Sequence, residues 1–188
     1  MAVIETKVSG YNSANLGYLS KVYLIRVREV LRVVDSWRNK LVGAAGRTVR
    51  NGDILLKSSA VCYQLVFPFR VAQMRVLERG SASLLSYECS IMGDVPGVQL
   101  DVLLLDDENR QDEWVVLAIE NNGRGWVLGN EERGLSMRVN HTVGADNVLM
   151  VEFSGITNVP PTVLESVDLG SIFPDAAFSV EFSRDFLA

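Results

Sequence analysis

The fold class of this chain is decided by one stretch, which reads Trp114-Val115-Val116-Leu117-Ala118-Ile119-Glu120-Asn121-Asn122-Gly123-Arg124-Gly125-Trp126-Val127-Leu128-Gly129. Two apolar runs flank a polar segment that contains Asn-Gly, and both of those residues tolerate the positive φ angles of a tight turn. β-branched and aromatic residues dominate the runs, which favours strands. The stretch therefore predicts a β-hairpin with strands at 114–120 and 125–129.

Alternating apolar and polar residues recur along most of the remaining chain. Gly, Pro, Asn and Asp bound the alternating segments, and the further predicted strands are 19–34, 54–57, 61–67, 72–79, 83–92, 135–143 and 148–155. In residues 19–34 a helical stripe through Leu24, Val27 and Leu31 is the weaker alternative. Asn51-Gly52 predicts a tight turn before 54–57.

One helix is expected between two of these strands. Residues 93–97 contain two glycines and a proline, so they predict a break in the strand pattern. Val98, Val102 and Leu105 then recur at helical spacing, which predicts a helix over 98–109.

These elements indicate a mainly β fold, an antiparallel β-sandwich or barrel with one helix and extended loops or terminal arms. We expect a β-rich domain over 1–157, with a loop insertion at 35–60, and a C-terminal arm over 158–188. The arm is expected to pack on its own domain or on a partner, because it carries four phenylalanines, Phe173, Phe178, Phe182 and Phe186.

Composition narrows the class of protein. The chain has 188 residues, 48% hydrophobic and 22% charged, which is typical of one globular domain. Its apolar runs are shorter than the roughly 20 residues that cross a bilayer, and we expect neither a signal peptide nor a membrane segment. With 18 basic and 23 acidic residues the net charge is −5, whereas a protein that grips nucleic acid usually has a basic excess.

The charges are unevenly distributed along the sequence. Basic residues cluster early, whereas acids concentrate from Asp94 onward; the early cluster is Arg26, Arg28, Arg32, Arg38, Lys40, Arg47 and Arg50. Such asymmetry is typical of a surface that meets an acidic neighbour, including the acidic half of another copy. Ordinary solvated faces are the alternative and the favoured one.

Residues that carry chemistry are few and scattered. The single histidine, His141, lacks the neighbours of a zinc site, and no GxSxG motif accompanies it as a general base. The acids Asp106-Asp107-Glu108 and Asp112-Glu113 lack EF-hand spacing and are interpreted as a solvated helix end. Asn122-Gly123-Arg124-Gly125 fits neither phosphate-loop motif. We therefore predict no enzyme, and no catalytic, cofactor-binding or metal-binding residue.

The cysteines and tryptophans of this chain are interpreted as core residues rather than as reactive or ligand-binding groups. Cys62 and Cys89 lie in apolar alternating stretches, where a free cysteine behaves as a small hydrophobe; a disulfide or a reactive thiol is the alternative. Trp37, Trp114 and Trp126 suit a sugar- or base-stacking face. A cross-strand Trp114–Trp126 pair in the core is the favoured interpretation, because the two lie on facing arms of the hairpin.

The hairpin also resembles a known family. The run 114–130, continuing into Glu131-Glu132-Arg133-Gly134-Leu135, resembles a pattern in tail-tube and related virion proteins of siphovirus-like phages and prophages of gut bacteria. The pattern is a strand, an Asn-Gly turn and Trp-x-Leu/Val-Gly. The order of elements over 20–155 is similar too, and Phe153-Ser154-Gly155 matches the end of the family's last strands. The insertion at 35–60 and the Phe-rich tail match nothing in it.

The resemblance implies an assembly function. Tail-tube-like proteins form rings, often hexamers, whose sheets join around a channel for DNA, while loops and terminal arms lock successive rings. We accordingly expect a virion structural protein of the tail tube or head–tail connection, assembled in the host cytoplasm. Its partners would be copies of itself and other tail or connector proteins, with non-specific proximity to DNA.

Two alternatives remain from other classes of protein. One is a monomeric β-sandwich that binds a carbohydrate or protein ligand through its tryptophans. The other is a hydrolase that uses His141 as a general base.

Overall fold

The computed structural model describes residues 18–34, 48–50, 52–68, 70–81, 84–97, 99–142 and 148–173. Within these ranges the strands are β1 Tyr18–Arg26, β2 Val30–Val33, β3 Thr48–Val49, β4 Ile54–Leu56, β5 Cys62–Val66, β6 Ala72–Ser81, β7 Leu84–Pro96, β8 Glu113–Glu120, β9 Gly125–Leu128, β10 Leu135–Thr142, β11 Val148–Thr157 and β12 Thr162–Leu164. The helices are α1 Leu100–Glu108 and α2 Leu169–Ile172, and a 3-10 turn, Val27–Glu29, separates β1 from β2. The mainly β class with a helix between strands is confirmed; α2 was not expected.

Six strands close into a barrel. Their order is β1-β8-β10-β11-β7-β6 and back to β1, and every neighbouring pair is antiparallel. The contact of β8 with β10 is short, since it pairs only Trp114 with Leu135 and Glu113 with Ser136. The contact of β1 with β6 is equally short, whereas β7 pairs with both of its neighbours over ten residues.

Further strands extend from the barrel. β5 lies along β1, while β9 pairs with β8 and leads through β12 to β3. β2 and β4 form a separate two-stranded antiparallel sheet. The pairing of β12 with β3 is parallel, whereas the other pairings within the described residues are antiparallel, in keeping with the mostly antiparallel fold expected.

Two apolar cores lie on opposite faces of the β1–β8 pair. One fills the barrel and includes Val22, Leu24 and Val116. The other lies outside it, where Tyr23, Ile25 and residues of β8 pack under β2, β4, β12 and α2. The simple alternation expected over 19–34 is therefore wrong for β1, because both faces of this strand are buried and both need apolar side chains.

The predicted hairpin is confirmed. Leu117 of β8 pairs with Val127 of β9, and the turn between the strands has Gly123 at φ +82°. The side chain of Asn122 accepts a hydrogen bond from the Arg124 amide at 2.9 Å, as expected for an Asx turn.

The break predicted at 93–97 is wrong, because β7 continues to Pro96. Gly93 serves close packing rather than a turn: a Cβ atom there would lie 2.5 Å from Phe67 Cε1 and 2.9 Å from Ala72 Cβ. The chain turns one residue after the strand, at Gly97, whose φ is +75°. Helix α1 then begins at Leu100, two residues later than predicted, and Val98 lies outside the described residues.

The first part of the predicted C-terminal arm belongs to the folded body. β12 pairs with β9, and the side chains of Ile172 and Phe173 are buried in the outer core. The insertion predicted at 35–60 likewise contributes β3 and β4 to the sheets. Seven residues named in the sequence analysis lie outside the described residues: Trp37, Arg38, Lys40, Arg47, Phe178, Phe182 and Phe186.

Gly134 offers a test of the packing between β10 and β8. A Cβ atom there would lie 2.6 Å from the carbonyl oxygen of Trp114 and 2.7 Å from its amide nitrogen, and backbone cannot move aside cheaply. We expect Gly134→Ala to lower the free energy of unfolding by about 3 kcal/mol, the upper end for overpacking, in urea titrations. The control is Gly170→Ala, whose new methyl group has its nearest neighbour at 3.5 Å. Equal stability of the two variants would contradict this arrangement.

Candidate assembly surfaces

A polar network at one end of the barrel holds several elements together. The Arg26 side chain, 15% exposed, donates from Nε to Asn109 Oδ1 at 2.7 Å and from Nη1 to Glu29 Oε1 at 3.0 Å. Its Nη2 donates to the hydroxyl of Tyr63, and Asp112 lies 3.4 Å from its Nε. One guanidinium thus ties the end of β1 to β5 and to the segment that joins α1 to β8.

Aromatic rings surround this guanidinium on its apolar side. Its carbon lies 5.1 Å from the ring centroid of Tyr63 and 5.9 Å from that of Trp114, which is cation–π range. Tyr63 and Trp114 pack edge to face at 5.7 Å. Trp114 is fully buried, and its Nε1 is the one buried side-chain polar atom without a hydrogen-bond partner in the described part of the chain. The network is thus a structural cap on the barrel core.

Beside the network is an open cleft of about 520 Å³. It is lined by Arg28 and by residues 107–112, which include three of the five acids predicted as a solvated helix end, Asp107, Glu108 and Asp112. Arg28 pairs with Asp112 at 3.1 Å and Arg110 pairs with Asp107 at 2.7 Å, whereas Glu108 forms no ion pair within the described residues. Asp107 and Glu108 are exposed as expected, whereas Asp106 is half-buried and its pKa is raised, chiefly by burial.

A hairpin extends beyond the barrel. β6 pairs with β7 along its whole length, from Ala72–Gly93 to Ser81–Leu84. On its other side β6 meets β1 only through Ala72 and Gln73, and the rest of that edge has no partner strand within the described ranges. We call residues 74–81 of β6 the open edge.

Two further surfaces expose large apolar side chains. On α1, Leu100 is 66% exposed and Leu104 is 46% exposed. The outer side of α1 carries four residues at helical spacing, which we call the helix patch: Leu100, Leu104, Asp107 and Glu108. On the β2–β4 sheet, Leu31 is 56% exposed and Leu55 is 47% exposed. With the exposed residues Arg32 and Lys57 they form what we call the sheet patch.

Sequence reasoning missed both patches. The prediction of one continuous strand over 19–34 placed Leu31 within regular alternation. In the structure a 3-10 turn interrupts that segment, and the register of β2 against β4 shifts between Val30 and Arg32, which leaves Leu31 on the surface. A signal for the helix patch was present, since Leu100, Leu103 and Leu104 extend the apolar surface of α1 beyond the stripe of Val102 and Leu105.

The histidine and the cysteines lie apart from one another. His141 is exposed on β10, opposite Leu149 of β11. Cys62 and Cys89 are free thiols in different strands, and burial raises their pKa values to about 12 and about 11. Among the described residues no group of three or more His, Cys, Asp or Glu side chains could hold a metal ion. None of the described helices is both long and apolar enough to span a bilayer.

The predicted pairing of Trp114 with Trp126 is wrong, although core packing of Trp114 is confirmed. The register of the hairpin places Trp126 opposite Ala118, and Trp114 opposite Leu135 of β10. Trp126 is half-buried against the barrel core, and its Nε1 donates to Glu120 Oε1 at 2.6 Å.

The polar network predicts unequal costs for two neighbouring arginines. Arg26→Ala removes the partner of Glu29 and one of the two partners of Asp112, so we expect a loss of about 2–3 kcal/mol. This is below the range for fully buried pairs because water still reaches the site. Arg28→Ala is the matched control, because its side chain is 64% exposed and also binds Asp112. It should cost below about 1 kcal/mol. Urea unfolding measures both, and a larger loss for Arg28→Ala would refute the assignment.

Comparisons of the chain with protein-family models, with curated proteins and with solved structures found no significant match.

Proposed function

We propose that this chain is a virion structural subunit of a phage tail tube or head–tail connection, and that copies assemble into rings around a channel for DNA. The observation that carries the proposal is the open edge of β6 in a hairpin that extends beyond the barrel. The hairpin at 114–130, with its resemblance to tail-tube proteins, supports the same class.

An open strand edge presents unpaired amide and carbonyl groups that can accept another strand. The alternation of an antiparallel ladder identifies which amides these are. Because Ser81 pairs with Leu84 across a two-residue connection, the amides of residues 77, 79 and 81 bond to β7. The amides of Val76, Glu78 and Gly80 therefore point to the open edge. Strand addition by a neighbouring copy would satisfy them and continue the sheet from one subunit to the next.

The charge of the chain is compatible with a channel through which DNA slides. Fixed cations would hold the phosphates, whereas a net charge of −5 leaves no general attraction between protein and DNA. In this proposal the subunits assemble in the host cytoplasm and remain in the virion with other tail or connector proteins.

The monomeric binding module has less support than assembly. Its carbohydrate face depended on three tryptophans, but Trp114 is fully buried, and Trp126 is half-buried and bonded to Glu120. Trp37 lies outside the described residues. For the hydrolase alternative, His141 is exposed on β10 opposite Leu149, which does not favour a catalytic role.

The first test is the state of the purified protein. We expect light scattering coupled to size-exclusion chromatography to give a defined multimer at high protein concentration, and electron microscopy to show rings or tubes. A monomer at every concentration, with and without other tail proteins, would refute the proposed function.

A second test addresses the open edge directly. Glu78→Pro removes one amide that points away from β7, so it should leave the hairpin intact while blocking strand addition. We expect the monomer to keep its thermal unfolding midpoint within about 3 °C, which corresponds to about 1 kcal/mol for a chain of this length, and assembly to be lost. Glu78→Ala keeps the amide and should assemble like the parent. If Glu78→Pro assembles normally, the open edge is not the contact.

A further inference from the structure

We infer that neighbouring copies of this chain also meet face to face, with the helix patch of one copy seated on the sheet patch of the next. This inference rests on the proposed assembly and names a second contact for it. The occupant of each patch is therefore a second copy of the same chain.

The helix patch has the composition of a covered surface. A helix on the surface of a globular protein normally buries one apolar stripe against the core and presents polar residues to solvent. α1 buries Val102 and Leu105 in the barrel core, yet it also presents Leu100 and Leu104 to solvent. Acids border these leucines: Asp101 and Glu108 are exposed and form no ion pair within the described residues. α1 thus offers an apolar ridge with a negative border.

The sheet patch has the opposite charge. Arg32 lies directly opposite Leu55 in the register of β2 and β4, so these two side chains share the outer face of the sheet. Lys57 continues that face one position beyond β4. Neither Arg32 nor Lys57 forms an ion pair in the part of the chain that the structure describes. The apolar part of the patch consists of Leu31 and Leu55. The sheet therefore offers an apolar surface with a positive border.

Charge complementarity is what identifies the partner. Each patch combines two exposed leucines with charges of one sign, and the two signs are opposite, which favours the contact of unlike patches and opposes that of like patches. A contact between two different surfaces of identical subunits is heterologous, and repetition of such a contact builds closed rings or open filaments. Of the early basic cluster, Arg32 lies in the sheet patch, and the acids of the helix patch belong to the later, acidic part of the sequence.

The test uses two charge-reversed variants. In Asp107→Lys/Glu108→Lys both patches become positive, and lysines in the last turn of α1 suit the helix dipole, so the fold should persist. In Arg32→Glu/Lys57→Glu both patches become negative. For each variant alone we expect the concentration at which half the protein assembles to rise about ten-fold or more, because like charges then face each other. Light scattering measures the assembled fraction.

Mixing the two variants distinguishes this contact from a general loss of assembly. In an equimolar mixture every positive helix patch can face a negative sheet patch, and every native acidic helix patch a native basic sheet patch. We therefore expect assembly to return in the mixture, with native mass spectrometry showing equal numbers of the two chains in each particle. A mixture that stays unassembled, or that sorts into particles of one chain, would overturn the inference.

Controls separate the outcomes. Asp94→Lys/Arg124→Glu reverses two exposed charges outside both patches and should assemble like the parent. A parent chain that never assembles removes both the proposed function and this inference. If the parent forms rings and each charge-reversed variant does so at the same concentration, the inference alone is wrong and the proposed function remains.

Discussion

The pairing of β1 with β8 is the constraint on which the rest of the structure depends. These strands pair from Leu19–Glu120 to Arg26–Trp114, and both faces of the pair are buried. The barrel core packs on one face and the outer core on the other, so the pair is a wall shared by two apolar layers. Burial of apolar surface on both faces, worth roughly 25 cal/mol per Å², makes this wall a major contribution to stability. The Arg26 network closes one end of the β1–β8 pair, where the guanidinium lies against the ring of Trp114.

Much of the fold is predictable from the sequence, because most of its signals are local. The Asn122-Gly123 turn and the apolar runs beside it determine the β8–β9 hairpin, and alternation locates most other strands. Closure of the barrel is not predictable in this way, since it depends on two short contacts between strands that are distant in the sequence. Gly93 shows a second limit. The sequence alone does not distinguish a glycine required by close packing against Phe67 from a glycine required by a turn.

The candidate surfaces were less predictable than the fold. Charge asymmetry was visible in the sequence, but which basic residues share a face with exposed leucines depends on the register of β2 against β4. The open edge likewise depends on where β1 leaves β6. The open edge and the two patches lie on different elements. A subunit with two unlike contacts can both extend its sheet and fix the orientation of the next copy, as a ring requires.

The central claim, that neighbouring copies complete the open edge, is tested most directly by amide hydrogen exchange as a function of protein concentration. The account predicts that the amides of Val76, Glu78 and Gly80 exchange quickly in dilute protein and become protected as particles form. Amides at the centre of β8 should be protected at every concentration. Concentration matters because protection that arises within one chain would not depend on it. Equal protection of the three β6 amides in dilute and assembled protein would contradict the account.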